Sequence, residues 1–395
     1  MEDTPRKRPR RAQIANFGAG PGTLHPAVLA ELAQQIEDYE GSGVSLLEMS
    51  HRTSMGPVQS TLVSASSAVR KLLKVPDSYE VLWMQGGGHG QFSAVPLNLL
   101  GNKKSADFVD TGIWTHRAMD EASKYCQVRI AARTEDNARI PPVSSWDLSD
   151  DSAYVHICLN DTISGLEFLD DPDIGDKLLV ADCTSTLLSR PVRVERYAAL
   201  YCASGKNLGP AGVCLLIVRR SVLGRARPDT PMVLNWQLAA ETSPVPCLVN
   251  TPPVFAVWAC KLVLEQMLKD FGDMDVVEQR VRRRAAKIYD VIDRSSGFYV
   301  NVIEGKFRSQ TTLCFTFGAD KDFKREWDGS ITSKVQKTEL EEKFTEQAGA
   351  DGMMELQGHP AFGGIRVCLY NALADEAVDR LVTFMEAFHQ KHGPA

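Results

Sequence analysis

Two kinds of hydrophobic pattern succeed one another along the chain, and their order predicts the architecture. Val28, Leu32 and Ile36 recur every four residues behind Pro26, and Val58, Leu62, Val69 and Leu73 share one stripe further on. Both spacings follow the helical turn, and Pro26 suits a first helical position, where an N–H has no partner to lose. A Gly/Pro turn at 18–22 precedes them. Six short runs of strand character follow, at 79–84, 106–110, 153–159, 177–181, 198–202 and 213–219, several separated by helical pattern. Strands that are apolar on both faces and alternate with helices predict an α/β unit around a largely parallel sheet. From Pro253 the pattern is helical as far as the Ser295-Ser296-Gly297 turn, with a break near Gly272. Beyond it, 298–303, 311–317 and 364–370 read as strands, and 340–347 and 375–389 as helices. A smaller α+β unit therefore closes the chain.

Composition narrows the function classes. With 395 residues the chain exceeds what one core usually organises, so a large and a small domain with a cleft between them are expected. The 44% hydrophobic and 24% charged residues match an ordinary soluble globular protein, and no apolar run reaches membrane-spanning length. A net charge of −6 disfavours a nucleic-acid-coating surface and leaves small molecules as the expected partners. Nine scattered cysteines, an odd number set mostly in apolar segments, read as reduced, cytoplasmic packing. No Cys-x-x-Cys, His-x-x-x-His or His-Glu-x-x-His spacing points to a metal. The basic run Arg6 to Arg11 reads as part of a solvated, disordered tail over residues 1–12, with a nuclear-localisation or polyanion patch as the alternative. It lacks the apolar stretch of a signal peptide, and Glu2 and Asp3 fit a mitochondrial presequence poorly.

Two strand ends carry candidate chemistry. The run at 177–181 delivers Asp182, and the run at 198–202 delivers the turn Ser204-Gly205-Lys206-Asn207. In open α/β sheets ligands gather at such ends. A lysine can form a Schiff base with a carbonyl cofactor while a carboxylate keeps a pyridine nitrogen protonated. Spacing alone leaves open a surface lysine beside an ordinary strand-end aspartate. Gln85-Gly86-Gly87-Gly88-His89-Gly90-Gln91 follows a strand and opens a helical pattern, so its amides suit a phosphate, although a plain turn remains open. It has neither the Gly-Lys-Ser/Thr end of a Walker A loop nor a G-x-G-x-x-G fingerprint.

Longer motifs resolve these alternatives. Asn16-Phe17-Gly18-Ala19-Gly20-Pro21, Leu47-Glu48-Met49-Ser50-His51-Arg52, the stretch from Gln85 to Gly101, and 182–191 resemble phosphoserine aminotransferases in matching order. So do Lys206 to Gly212, Asn250-Thr251-Pro252-Pro253 and 363–371, and the resemblance covers roughly residues 14–392. It implies a fold-type I, class V pyridoxal 5'-phosphate-dependent transferase. Its large domain, residues 27–284, would carry a mainly parallel seven-stranded sheet, and residues 13–26 and 285–395 would form the small domain. It further implies a cytoplasmic homodimer with shared active sites that moves an amino group from glutamate to 3-phosphohydroxypyruvate in serine biosynthesis.

Carried over by motif, Lys206 tethers the cofactor and shuttles the proton, and Asp182 binds the ring nitrogen. Trp114 stacks on the ring, and Thr162 hydrogen-bonds its hydroxyl. The cofactor phosphate would sit on the Gly88 and His89 amides, with Gly205 beside it and Asn250 and Thr251 reaching in from the other subunit. Arg366 would grip the substrate carboxylate, and His359 with the trans pair His51 and Arg52 would hold its phosphate. Read alone, Trp114 would be a core aromatic and Thr162 a turn former. Three positions depart from the pattern: Gly205 replaces a glutamine, His89 an arginine or cysteine, and Pro360 an arginine. Arg308 is a candidate to lean in as compensation. The departures leave three readings: the serine-pathway enzyme, a paralogue acting on another amino or keto acid, and a non-catalytic relative.

Overall fold

The computed structural model describes residues 13–134, 138–320 and 336–394, so the expected basic tail lies outside the described residues. The central sheet consists of β1 (Tyr79–Met84), β2 (Ser105–Asp110), β3 (Gln127–Arg133), β4 (Ser152–Cys158), β5 (Leu179–Asp182), β6 (Tyr197–Ala203) and β7 (Cys214–Arg219). Their spatial order is β1-β7-β6-β5-β4-β2-β3. Strand β7 runs antiparallel to both neighbours, and every other pair is parallel. All six apolar runs are strands of this sheet. The seventh, β3, escaped the hydrophobic pattern because it is an edge. Gln127, Ile130 and Arg133 are exposed, and Arg129 reaches back to Asp107 of β2 at 3.1 Å. Such one-sided burial lacks the apolar run of a central strand.

Helix α1 (Pro26–Gln35) begins at the expected proline and buries Val28 and Leu32, but ends before Ile36, which is 39% exposed. Helix α2 (Pro57–Leu73) buries all four residues of its predicted stripe. Helices α3 (Gly87–Leu99), α4 (Ile113–Ala122) and α5 (Trp236–Glu241) follow, and then α6 (Val254–Asp270) and α7 (Met274–Arg294) divide the long helical pattern around Gly272. At Gly272 φ is +70°, a conformation that glycine adopts without strain.

Two hydrophobic cores result. One surrounds the central sheet, and the other holds β8 (Tyr299–Val300), β9 (Thr312–Phe317), β10 (Ile365–Cys368), α8 (Glu339–Ala350) and α9 (Asp375–His392). Helix α7 joins them, with Val277 and Val281 in the first and Ala285, Ile288 and Ile292 in the second. The N-terminal Ala15 and Phe17 also enter the second core. The run at 298–303 forms a strand only over Tyr299–Val300, because the Asn301 side chain accepts the Ile303 N–H at 3.1 Å and turns the chain away. Among the described residues no helix is long and apolar enough to cross a membrane.

Candidate active site

Strand register brings the two chemical residues together. Asp182 ends β5 opposite Cys158 of β4 and Tyr201 of β6, and Lys206 lies in the turn that leaves β6. Both therefore stand at the carboxyl edge of neighbouring parallel strands. Asp182 is buried, and its Oδ1 accepts the Thr184 N–H at 2.9 Å. Burial raises its carboxyl above the ordinary value, opposed by Thr184, Lys206 and His89. Burial lowers the Lys206 ammonium below its ordinary value, and Asp182 opposes that shift. A half-buried lysine beside a buried aspartate is a nucleophilic amine with a fixed counter-charge. The segment around Gly20 closes over this pair. At Gly20 φ is +136°, and a Cβ there would lie 3.3 Å from the Gly205 carbonyl and 3.6 Å from Lys206 Cγ.

The glycine loop makes an anion cradle. Gly86 and Gly87, with φ of 89° and 59°, turn β1 into α3, whose N-terminus has no side-chain cap. A Cβ at Gly87 or Gly88 would meet nothing within 4 Å, so the Gly88 and His89 amides open onto the cavity that both residues line. Uncapped amides at the positive end of a helix dipole suit a phosphate.

Opposite, one network joins three expected residues. Trp114 Nε1 donates to Thr162 Oγ1 at 3.0 Å, and Arg366 Nη1 donates to the Thr162 carbonyl at 3.0 Å. Gly112 permits this approach, since at φ +143° a Cβ would sit 2.7 Å from Asp161 Oδ2. His89 stands edge-on to Trp114, with ring centres 6.2 Å apart. Burial, Arg366 and Arg117, in that order, push the His359 imidazole down to about 4.

These residues enclose a cavity of 430 Å³ lined by Gly88, His89, Trp114, Thr162, Asp182, Gly205, Lys206, His359 and Arg366, among others. His51, Arg52, Asn250 and Thr251 do not line it within this chain. Arg52, Asn250 and Thr251 are exposed, and Gln85 Nε2 donates to the Thr251 carbonyl at 3.1 Å. Arg308 does not lean in: it pairs with Asp293 at 2.7 Å and covers the Tyr289 ring. Sequence reasoning missed Asn160, whose buried Oδ1 has no partner among the described residues although the residue lines the cavity. Arg117 does not line the cavity but stands three residues beyond Trp114 on α4, on the same helical face and against its ring.

Residues 14–381 match the family described as aminotransferase class-V. The fold, the site and this match define a transaminase of that class. A phosphoserine aminotransferase from Hahella chejuensis is 43% identical over 375 residues, covering 94% of this chain and 97% of the relative. One from Ralstonia nicotianae is 40% identical, with 96% of each covered. A solved phosphoserine aminotransferase from Bacillus circulans subsp. alkalophilus superposes with a TM-score of 0.86 at 33% identity, covering 95% of this chain and 98% of that one. A pyridoxal-phosphate-bound phosphoserine aminotransferase from Trichomonas vaginalis superposes at 0.85 with 30% identity, covering 94% and 99%. The chain belongs to the phosphoserine aminotransferase family. Its cofactor is pyridoxal phosphate. The half-buried amine, the buried carboxylate, the uncapped amides and the unpartnered Asn160 Oδ1 fit that group.

Proposed function

We propose that the protein exchanges an amino group between O-phospho-L-serine and 2-oxoglutarate, and in reverse between glutamate and 3-phosphohydroxypyruvate, as a step of serine biosynthesis. The supporting observation is that Lys206, Asp182, Trp114, Thr162 and Arg366 meet in one cavity. Retention of all five disfavours a non-catalytic relative.

When bound, the cofactor supplies an electron sink for the pair left on the substrate α-carbon. Lys206 would tether it through Nζ and would carry the proton to and from that carbon, helped by burial that favours its neutral amine. Asp182 would hold a proton on the ring nitrogen by its negative charge. Trp114 and Thr162 would hold the ring, and the Gly88 and His89 amides would hold the phosphate. Arg366 orients the substrate carboxylate with its planar pair of donors.

In this reading the unit is a cytoplasmic homodimer without nucleic-acid or membrane partners. Asn250 and Thr251 of one subunit reach the cofactor phosphate of the other, and His51 and Arg52 reach its substrate phosphate. Residues 27–284 act as the large cofactor-binding domain and 13–26 with 285–395 as the small one. The uncharged Pro360 beside His359 favours one alternative, a paralogue acting on a different amino or keto acid.

Steady-state comparison of O-phospho-L-serine with a panel of unphosphorylated amino acids other than glutamate decides between them. The proposal expects phosphoserine to lead in kcat/KM by about 100-fold or more, as two charge-assisted contacts would provide. A panel member that outruns phosphoserine would overturn it.

A further inference from the structure

Arg117 does not line this cavity but stands beside it, against Trp114, and among the described residues it has no anion of its own. It lies on α4 with its guanidinium carbon 5.7 Å from the centre of the Trp114 ring, and it is half-buried. Among the described residues no hydrogen bond or ion pair engages it. Three other half-buried arginines pair with carboxylates: Arg129 with Asp107, Arg190 with Asp171 and Arg280 with Asp375. Withdrawing a guanidinium from water without a partner is unfavourable, and an incoming anion relieves it.

The surroundings indicate where that anion would come from. Trp114, beneath the guanidinium, lines the cavity together with His359 and Arg366. Arg366 is already hydrogen-bonded to the Thr162 carbonyl, a geometry that fixes it for one carboxylate. The turn after His359 contributes no charge, since it continues through Pro360, Ala361 and Phe362. His359 itself is a donor rather than a cation at neutral pH. Its Nδ1 accepts the Ala361 N–H at 3.1 Å, which leaves the ring proton on Nε2, and its pKa is held near about 4. Arg117 contributes to that depression, so its field reaches the His359 side of the cavity.

We propose that Arg117 is a specificity-determining residue whose guanidinium receives the distal phosphate of the amino acid held at its α-carboxylate by Arg366. This rests on the function proposed above and names the side chain that selects an anionic substrate. A guanidinium can meet a phosphate with two parallel N–H donors, and the neutral His359 Nε2–H adds a third.

The test uses the holoenzymes of the wild type, Arg117→Met and Arg117→Lys. The ratio of half-reaction efficiency for O-phospho-L-serine to that for L-alanine should fall about 10- to 100-fold in Arg117→Met and recover in part in Arg117→Lys. The dissociation constant of inorganic phosphate, measured by calorimetry on the same holoenzymes, should rise by at least about tenfold in Arg117→Met. An unchanged phosphate affinity overturns the inference. So does an equal loss on both substrates with a displaced cofactor absorbance band, which would make Arg117 only a prop for Trp114. If the wild type ignores phosphoserine, the function proposed above fails, and phosphate affinity alone decides the role of Arg117.

Discussion

Replacing Asp182 by asparagine separates charge from shape at the centre of the site. The side chain is 7% exposed, its Oδ1 takes the Thr184 N–H at 2.9 Å, and asparagine can keep that bond through its own carbonyl oxygen. What disappears is the negative charge facing Lys206 and, in the loaded enzyme, the cofactor ring nitrogen. Removing one preorganised electrostatic stabiliser of developing charge raises a barrier by about 2.7–4 kcal/mol. At roughly 1.4 kcal/mol per tenfold, the half-reaction should slow by about 100- to 1,000-fold. Rapid mixing of the holoenzyme with glutamate, followed through the cofactor absorbance, measures this directly. The same burial that raises the Asp182 carboxyl opposes its charge in the apoprotein, so the apo mutant should melt no earlier than the wild type. Turnover within about tenfold of the wild type would refute the assignment, because a neutral amide cannot hold a ring nitrogen protonated. A destabilised apoprotein would show instead that Asp182 mainly supports the fold.

Lys206→Ala should abolish transamination while keeping the fold, and borohydride reduction of the wild type followed by peptide mass spectrometry should place the cofactor on Lys206; an adduct on another lysine would break the assignment. His156, buried with Nε2 2.8 Å from the Tyr201 hydroxyl and Nδ1 unpartnered, is lowered by burial to about 3. Its folded pKa lies below the unfolded value of 6.5, so its contribution is complete above pH 6.5 and is lost as pH falls toward 3, by roughly 3–5 kcal/mol. Thermal melts of His156→Leu should therefore be flatter than the wild type across that window, and parallel acid limbs would exclude this role.

Legibility in the sequence followed the physics of burial. The central strands announced themselves because both faces are covered, whereas β3 carries Arg129 and Arg133 at an edge and leaves no such trace. The second core was harder to bound. Its β8 is two residues long because Asn301 bends the chain, and the two-residue strands Ala15–Asn16 and Met353–Met354 pair across almost the whole sequence. At the site, Lys206 and Asp182 were readable as strand-end residues, but only a family resemblance could tell them from surface neighbours. Trp114 and Thr162 read alone as core and turn, and their hydrogen bond spans residues far apart in sequence. Asn160 and Arg117 left no signal of their own, since each is marked by what it lacks, a partner for Oδ1 in one case and an anion in the other.

The way the site is held explains how its selectivity can change without its chemistry. Hydrogen bonds tie the segment after β10 to the turn carrying Lys206 and to the N-terminal segment: the Asn371 N–H meets Asn207 Oδ1 at 2.9 Å, and the Tyr370 hydroxyl meets the Ala19 carbonyl at 2.9 Å. On the other side of that turn, the Gly22 N–H meets the Gly205 carbonyl at 2.9 Å. Arg366 and Lys206 are thus spaced by backbone segments pinned to one another, not by long side chains alone, and this is the kind of support that a reaction sensitive to small displacements requires. The 359–362 turn and the Arg117 face of α4 stand outside these ties. Substitutions such as Pro360 or Gly205 can therefore alter the anion pocket while Asp182, Lys206 and Arg366 keep their places. A Cβ at Gly205 would find its nearest neighbour only at 3.7 Å, on Ala211, so that position tolerates a side chain and is not fixed as glycine by packing. Pro360 thus lies outside these ties, and Gly205, though its carbonyl is one of them, has room for a side chain, while Lys206 and Asp182 stay where the backbone is pinned.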